Sequence, residues 1–246
     1  MDQQQSLTGT PQLPQVSSLR DRAARRLLPP LLLAATCLCL ARPAAATSQA
    51  WLNNSLTFSI TPKWSLKFTQ ELRSLNITYA EPYLHNLQAG IVYFLPKNFT
   101  LAALYKREHV DIVGEILNLE DDIVLDEDRF TLQGTWKAGL ARNLSFDVRA
   151  KIEFRSFNEE DSNHTRFRLR LRLKYDTHIG SLRLKPFIAT ETFGKTQVYT
   201  VQKNRLYLGS IFPLGDHVEL TVNYIWLNAR DLGDIHILNT GFDLKF

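Results

Sequence analysis

Cysteine is nearly missing from this chain of 246 residues. Its two cysteines, Cys37 and Cys39, lie close together near the N-terminus, so residues 40–246 contain none. This absence excludes a disulfide scaffold, a thiolate metal site, an iron–sulfur centre and a cysteine nucleophile from that part of the chain. Long apolar runs are missing as well, because no stretch after residue 46 has the roughly 18 consecutive apolar residues of a membrane-spanning helix.

A strong charge of one sign is also absent once the N-terminal segment is set aside. Five of the 29 Lys and Arg residues and two of the 25 Asp and Glu residues lie within residues 1–46, so residues 47–246 carry a formal charge of +1. This balance does not indicate a nucleic-acid-binding protein. The chain also contains no P-loop, dinucleotide-binding fingerprint or HExxH motif, and we expect neither a cofactor nor a bound metal.

Residues 1–46 have the order of a secretory signal peptide with an extended polar N-terminus. The polar start is followed by a basic segment at 20–26, an apolar run at 27–40 and the small residues Ala-Ala-Ala at 44–46. Charge, apolar core and small-residue exit in this order are typical of a cleaved signal. The apolar run is too short for a membrane anchor. We therefore expect export, with residues 47–246 as one mature domain.

Beyond residue 50, hydrophobicity alternates with period two, which is typical of β-strands with unlike faces. In residues 164–175, five basic side chains share one face and five apolar side chains share the other. Residues 143–155 repeat the pattern with mixed charges. The charged members of these and neighbouring strands form a predicted ladder on one face: Asp147, Arg149, Lys151, Glu153, Arg155, Arg166, Arg168, Arg170, Arg172, Lys174, Arg183, Lys185, Glu191 and Arg205.

The pattern predicts an all-β fold, a single antiparallel up-and-down transmembrane β-barrel of ten to twelve strands. Most predicted strands have about 10–13 residues, which suits a tilted strand that crosses a bilayer. Short turns and long polar loops alternate between them, as in outer-membrane barrels. The predicted strands are 55–61, 64–74, 85–95, 99–110, 129–140, 143–156, 164–176, 181–193, 204–214, 217–228 and 235–246.

The strand count stays open at this point because single-chain bacterial barrels have even numbers of strands. Segment 55–61 makes an eleventh strand. It could pair with a further strand near Trp51, which would give twelve, or it could lie apart from a ten-stranded wall.

The end of the chain resembles the C-terminal signal by which outer-membrane proteins reach the barrel assembly machinery. Residues 239–246 alternate outward positions and end on an aromatic side chain, and aromatic residues also gather near other strand ends, as in membrane girdles. The resemblance implies the assembly machinery, outer-membrane lipid and lipopolysaccharide as partners. The residues that carry it are Asn239, Gly241, Phe242, Leu244 and Phe246.

Residues 51–246 as a whole resemble a bacterial family that is catalogued only as a domain of unknown function and is thought to form an outer-membrane barrel. This resemblance implies the fold and an outer-membrane location, and it brings no activity with it. It rests on the Trp51 start, Glu71-Leu72-Arg73, the Arg-rich strands 143–155 and 164–174, residues 204–209 and the last strand that ends in Phe.

If the apolar face turns toward lipid, the charged ladder lines the lumen. Assigning alternate positions of each strand to the lumen gives sixteen cations and six anions there. Rings of Lys and Arg favour anions, so the lumen is predicted to be a narrow anion-favouring pore or a binding barrel for small anionic solutes. The alternative is a structural barrel that charge pairs close. Ser162 and His164 come nearest to a catalytic pair, but they lie at a loop edge. We therefore predict no enzyme, with an outer-membrane lipid hydrolase as the least expected function.

Loop 111–128 is strongly acidic and is predicted to be a solvated outer loop. It could instead fold into the cationic mouth of the barrel as a plug or gate, or bind Ca²⁺ or Mg²⁺, although EF-hand spacing is missing. Its defining residues are Glu120, Asp121, Asp122, Asp126, Glu127 and Asp128.

Overall fold

β-Strands are the regular elements of the part of the chain that the structure describes. The computed structural model describes residues 47–75, 82–112, 123–158, 163–195, 201–230 and 233–246, so the predicted signal peptide lies outside it. None of these residues belongs to a helix with the length and apolarity needed to cross a membrane. The strands are β1 (Thr47–Ser59), β2 (Trp64–Ser74), β3 (Pro82–Leu95), β4 (Phe99–Ile112), β5 (Ile123–Ala141), β6 (Leu144–Phe157), β7 (His164–Tyr175), β8 (Thr177–Ile179), β9 (Leu182–Lys195), β10 (Val201–Pro213), β11 (Val218–Ala229) and β12 (Gly233–Lys245).

Eleven of these strands close into a ring. Strands β1 to β7 and β9 to β12 pair in chain order, each antiparallel to the next, and β8 pairs with β9 outside the ring. The ring is completed by β1 and β12, which run parallel with Thr47 opposite Ile235. A parallel closure follows from the odd count, because the first and last strands then run in the same direction. The predicted range of ten to twelve strands is confirmed, and residues 55–59 of the predicted segment 55–61 share β1 with Trp51.

The outer face of the ring is apolar and the inner face is charged. Leu169 and Phe130 point outward with exposed fractions of 48% and 45%, whereas Glu191 and Asp147 are buried inside at 1% and 0%. A water-soluble barrel would reverse this arrangement, because its apolar side chains would fill the interior. The predicted fold, a single up-and-down transmembrane β-barrel, is therefore confirmed.

Aromatic side chains gather on the outer face near the short connections, at what we call the turn end of the barrel. The rings of Trp64 and Tyr93 lie 4.5 Å apart between centroids, and those of Phe99 and Trp136 lie 6.3 Å apart. Such rings favour the boundary between hydrocarbon and water. The opposite end, which we call the loop end, carries the longer connections, and these lie largely outside the described residues.

Two strands begin at least six residues earlier than predicted. β1 starts at residue 47 rather than 55, and β5 starts at residue 123 rather than 129. The prediction of an acidic loop through residue 128 is therefore wrong for Asp126, Glu127 and Asp128, which lie on β5. The pairing of β5 with β4 continues through these residues, because the inward carboxylate of Glu127 finds cationic partners in the lumen. The remaining acidic residues, Glu120, Asp121 and Asp122, lie outside the described residues.

The seam between β1 and β12 depends on a glycine. A Cβ atom at Gly241 would overlap the backbone oxygen of Asn53, so the two strands approach closely there only because Gly241 has no side chain. Next to this point the Asn54 Oδ1 atom accepts a hydrogen bond from the Phe242 N–H at 3.2 Å. Ser55 donates a hydrogen bond from its hydroxyl to Asp243 on the lumen side. Side chains thus tie the seam where the backbone ladder is interrupted.

Candidate functional site

Five carboxylates at inward positions of the ring are buried, and four of them are almost fully shielded from solvent: Glu127, Asp147, Glu153 and Glu191. Strand alternation aims them inward, because each has the parity of the charged face of its strand. A buried carboxylate without partners is very unfavourable, and each of these binds at least two basic side chains. The lumen is therefore organised around these four anions.

Two of them form the centre of the network. Glu191 accepts hydrogen bonds from Arg149 at 3.0 Å, from Arg168 at 2.9 Å and from the Tyr207 hydroxyl at 2.7 Å. Glu153 shares Arg168 at 2.8 Å with Glu191. Because Arg168 bridges both carboxylates, it joins β6, β7 and β9 through one guanidinium group. Arg166 adds a second cation to Glu153 at 2.6 Å.

At the loop end, a second network includes residues that the ladder prediction missed. Lys106 and Glu108 on β4 are buried, and they form an ion pair with each other. Arg129 lies 3.4 Å from Glu108 and 2.5 Å from Glu127, which also binds Arg155. Alternation is weak in β4, and the parity of Ala102 and Leu104 gave no sign of a charged face. The strand pairing to β5 was the missing signal.

At the turn end, Asp147 forms ion pairs with three basic side chains of β7. Arg172 donates to it at 2.9 Å, Lys174 lies 3.3 Å away and Arg170 lies 3.6 Å away. Lys185 forms a separate ion pair with Glu219 at 2.7 Å.

Arg183 occupies a different environment from the rest of the predicted ladder. Half of its side chain is exposed, and it binds Asp176 at 2.6 Å beside the short strand β8. The hydrogen bond from Arg183 lowers the pKa of Asp176, which lies between β7 and β8. Arg183 therefore belongs to the solvated rim of the turn end rather than to the lumen.

The aromatic rings of Trp51 and Phe193 lie inside the lumen and each contacts more than one arginine. The guanidinium carbon of Arg73 lies 4.1 Å from the centre of the Trp51 ring, and that of Arg205 lies 4.8 Å from it. Arg205 also lies 4.7 Å from the Phe193 ring, and Arg168 lies 4.6 Å from the same ring. Cation–π contact is stronger away from water. The signal for Trp51 was its parity, which it shares with Asn53 and Ser55 on the polar face of β1.

A cavity of about 450 Å³ remains in the lumen between these groups. Lys67 and Lys151 line it, and neither makes a hydrogen bond or ion pair with a described residue. Asp243 attracts Lys67, whereas Arg149 and Arg170 repel it. Arg149 and Arg168 repel Lys151, and Glu153 and Glu191 attract it. The ion pairs therefore leave a group of mutually repelling cations at the cavity wall.

Some positions on the cavity wall across from β6 and β7 carry a small side chain or none. In the ring order, β12 and β1 lie on the far side from β6 and β7. Ser55 and Gly241 line the cavity from those two strands, and Ala189 lines it from β9. Short side chains leave open the space that the long arginines would otherwise share with bulky partners.

The other predicted residues occupy the following places. Gly241 and Asn239 point into the lumen, and Asn239 donates a hydrogen bond to Asn223 at 2.8 Å. Phe242 and Leu244 have outward parity. Phe246 lies 5.8 Å from Phe58 between ring centroids at the turn end.

The structure describes only one member, His164, of the pair nearest to a catalytic motif. Ser162 lies outside them, and the Nε2 atom of His164 lies 3.0 Å from Arg155 Nη1. No group of three or more His, Cys, Asp or Glu side chains in the described ranges could hold a metal ion.

The model of one protein family matches residues 48–234, which is most of the chain. The chain belongs to the DUF2490 family. That family is described as "Protein of unknown function". No curated protein matches this DUF2490 chain.

Three solved structures are similar to this DUF2490 barrel. The β domain of the Bordetella autotransporter BrkA is 13% identical, with 77% of this chain and 86% of that chain covered and a TM-score of 0.49. LpxR from Salmonella typhimurium is 11% identical, with 78% and 87% covered and a TM-score of 0.47. The siderophore receptor PirA from Pseudomonas aeruginosa is 12% identical, with 75% and 34% covered and a TM-score of 0.28.

Proposed function

We propose that this DUF2490 protein is an integral outer-membrane β-barrel whose lumen admits small anions and favours them over cations. The single observation that carries the proposal is the cavity lined by Lys67 and Lys151, which form no ion pair with a described residue and lie beside Arg149, Arg168 and Arg170. Like charges held close together in a site shielded from water repel each other. An anion that enters the cavity relieves this repulsion.

The outer-membrane location is part of the proposal. It is supported by the apolar outer face, the aromatic pairs at the turn end and the order of residues 1–46, which is that of an export signal. Outer-membrane lipid and lipopolysaccharide would cover the apolar face. The C-terminal segment with Phe242 and Phe246 would be the contact for the barrel assembly machinery. Expression of the full chain tests this location. We expect residues 47–246, produced by cleavage after residue 46, in the outer-membrane fraction.

A structural barrel with a lumen closed by charge pairs is the second candidate. The observation in its favour is that Asp147, Glu153 and Glu191 each bind two or more cations, so most of the bore is filled by bonded side chains. In this case the ion pairs stabilise the barrel wall, and no ion or solute passes through the cavity. Both candidates share the same fold and differ only in what the unpaired lysines do.

Reversal potentials in planar bilayers separate the two candidates. With the purified barrel in a KCl gradient, the proposal predicts a reversal potential of the sign that chloride permeation produces. Lys151→Gln and Lys67→Gln should each move it toward zero, because each removes a cavity charge. Lys63→Gln is the matched control, since Lys63 lies exposed in a short turn. A cation-selective current contradicts the proposal, and the absence of any current favours the structural barrel.

A further inference from the structure

We infer that the lumen cavity is a binding site for a small oxyanion with at least two negative charges, of the class of phosphate, sulfate and small polycarboxylates. This inference rests on the proposed function and names its ligand class. The site lies against β6 and β7, where Arg149, Lys151, Arg168 and Arg170 line the cavity, and Lys67 faces it from β2. Three observations support the assignment: unused donors, surplus charge and available space.

The first observation is a set of hydrogen-bond donors without acceptors. The Nε atoms of Arg149, Arg168 and Arg170 are buried, and none has a hydrogen-bond partner among the described residues. A buried donor that is left unpaired destabilises the protein. An oxyanion offers several acceptor oxygens to neighbouring guanidinium groups at once, whereas a halide offers one spherical acceptor.

The arginines are also held in position before any ligand arrives. Terminal Nη atoms of Arg149 and Arg168 are bound to Glu191, and Arg168 is bound to Glu153 as well. Because these carboxylates hold the terminal nitrogens, the remaining N–H groups have little freedom to turn away. Fixing donors in advance lowers the entropy cost of binding.

The second observation is the surplus of positive charge on one side of the lumen. Three buried carboxylates, Asp147, Glu153 and Glu191, form ion pairs with seven inward cations of β6 to β10. Those cations are Arg149, Arg166, Arg168, Arg170, Arg172, Lys174 and Arg205. Lys151 adds one more positive charge and has no ion-pair partner in the part of the chain that the structure describes. Five positive charges on this side therefore remain uncompensated, so a monovalent ion would leave most of the repulsion in place.

The third observation is the size of the space. A volume of about 450 Å³ falls within the range of roughly 300–1,000 Å³ that is common for small-molecule sites. Ser55 and Gly241, on the two strands across the lumen from β6 and β7, take up little of this volume. The cavity can therefore hold a hydrated inorganic oxyanion or a small organic one.

Isothermal titration of the refolded full chain tests the inference. Inorganic phosphate, sulfate and citrate would be titrated at constant ionic strength, with chloride and nitrate as monovalent probes. We expect the three multivalent oxyanions to bind at least about tenfold more tightly than nitrate, because each added charge-assisted bond contributes. Lys151→Gln should weaken phosphate binding by about tenfold or more, and Lys63→Gln should leave it unchanged.

The outcomes separate this inference from the proposed function. Anion-selective current with no preference for multivalent oxyanions overturns the inference and leaves the proposed function standing. Cation-selective current overturns the proposed function. Both Lys151→Gln and Lys67→Gln must fold, as judged by heat-modifiable gel mobility. Unchanged phosphate affinity in both variants also overturns the inference, because it would mean that phosphate binds outside this cavity. Phosphate binding that both variants weaken supports it.

Discussion

Arg168 and Glu191 join β7 to β9 inside the barrel, with Arg168 Nη2 lying 2.9 Å from Glu191 Oε2. Glu191 is the carboxylate around which the centre of the lumen is built, because it also binds Arg149 and Tyr207. Glu191→Gln would remove the charge that several buried cations share. We expect a loss of about 3–5 kcal/mol in the free energy of unfolding, measured by urea titration of the barrel in lipid vesicles.

Asp176→Asn is the control for that substitution. Asp176 also pairs with an arginine, Arg183, but both side chains are substantially exposed. Exposed pairs contribute about 1 kcal/mol or less, so this variant should unfold close to the wild-type urea concentration. Equal losses in Glu191→Gln and Asp176→Asn would show that burial of the central pair is not what stabilises the barrel.

Replacing Lys151 by Gln should not lower the free energy of unfolding, whereas replacing its neighbour Arg168 should. Lys151 has no ion pair with a described residue, so Lys151→Gln removes repulsion from Arg149 and Arg168. We expect unchanged or higher stability. Arg168→Gln, in contrast, deprives Glu153 and Glu191 of a shared partner and should cost about 3–5 kcal/mol. Urea unfolding of both variants decides the matter, and a clearly destabilised Lys151→Gln would mean that this lysine is bonded in the native barrel.

Gly241 should be sensitive to the smallest possible side chain. Gly241→Ala places a Cβ atom against the backbone oxygen of Asn53, so β1 and β12 must separate. We expect a loss of at least about 1–3 kcal/mol and slower appearance of the heat-modifiable band during folding. Gly139→Ala is the matched control, because no atom lies within 4 Å of its added Cβ. Similar folding of the two variants would argue against the parallel seam.

A charged side chain on the outer face near the membrane midplane should lower the free energy of unfolding. Leu169 lies in the middle of β7 and is 48% exposed on that face. Leu169→Arg should cost about 2–4 kcal/mol, whereas Leu214→Arg, in the turn between β10 and β11, should cost about 0–1 kcal/mol. Urea unfolding in vesicles compares them. If Leu169→Arg behaves like Leu214→Arg, lipid does not contact this side of β7.

The period-two alternation made the strands and their faces predictable, because in a strand the parity of a residue alone determines its side. Residues 164–175 show this most clearly, since their basic and apolar sets separate completely. The parallel closure was not predictable in this way. It depends on pairing between Thr47 and Ile235, which are far apart in sequence and carry no local turn signal.

The lumen chemistry was predictable only in part for a related reason. Parity identified which side chains face inward, but it does not show which inward cations find a carboxylate. That choice depends on register between neighbouring strands, as for Glu127 with Arg155. Trp51 and Phe193 show the same limit, because their contacts with Arg205 join β1 to β9 and β10, which are far from β1 in sequence.

Probe accessibility at two adjacent residues tests the orientation of the barrel wall most directly. Single cysteines would replace Leu169 and Arg170 in turn, in a full chain in which Cys37 and Cys39 are changed to serine, and each would carry a fluorescent label. The account predicts that a quencher attached to lipid chains reduces emission from position 169 and leaves position 170 almost unaffected, because successive residues of a strand face opposite sides. Quenching of position 170 by the lipid-attached quencher, with position 169 unaffected, would contradict it.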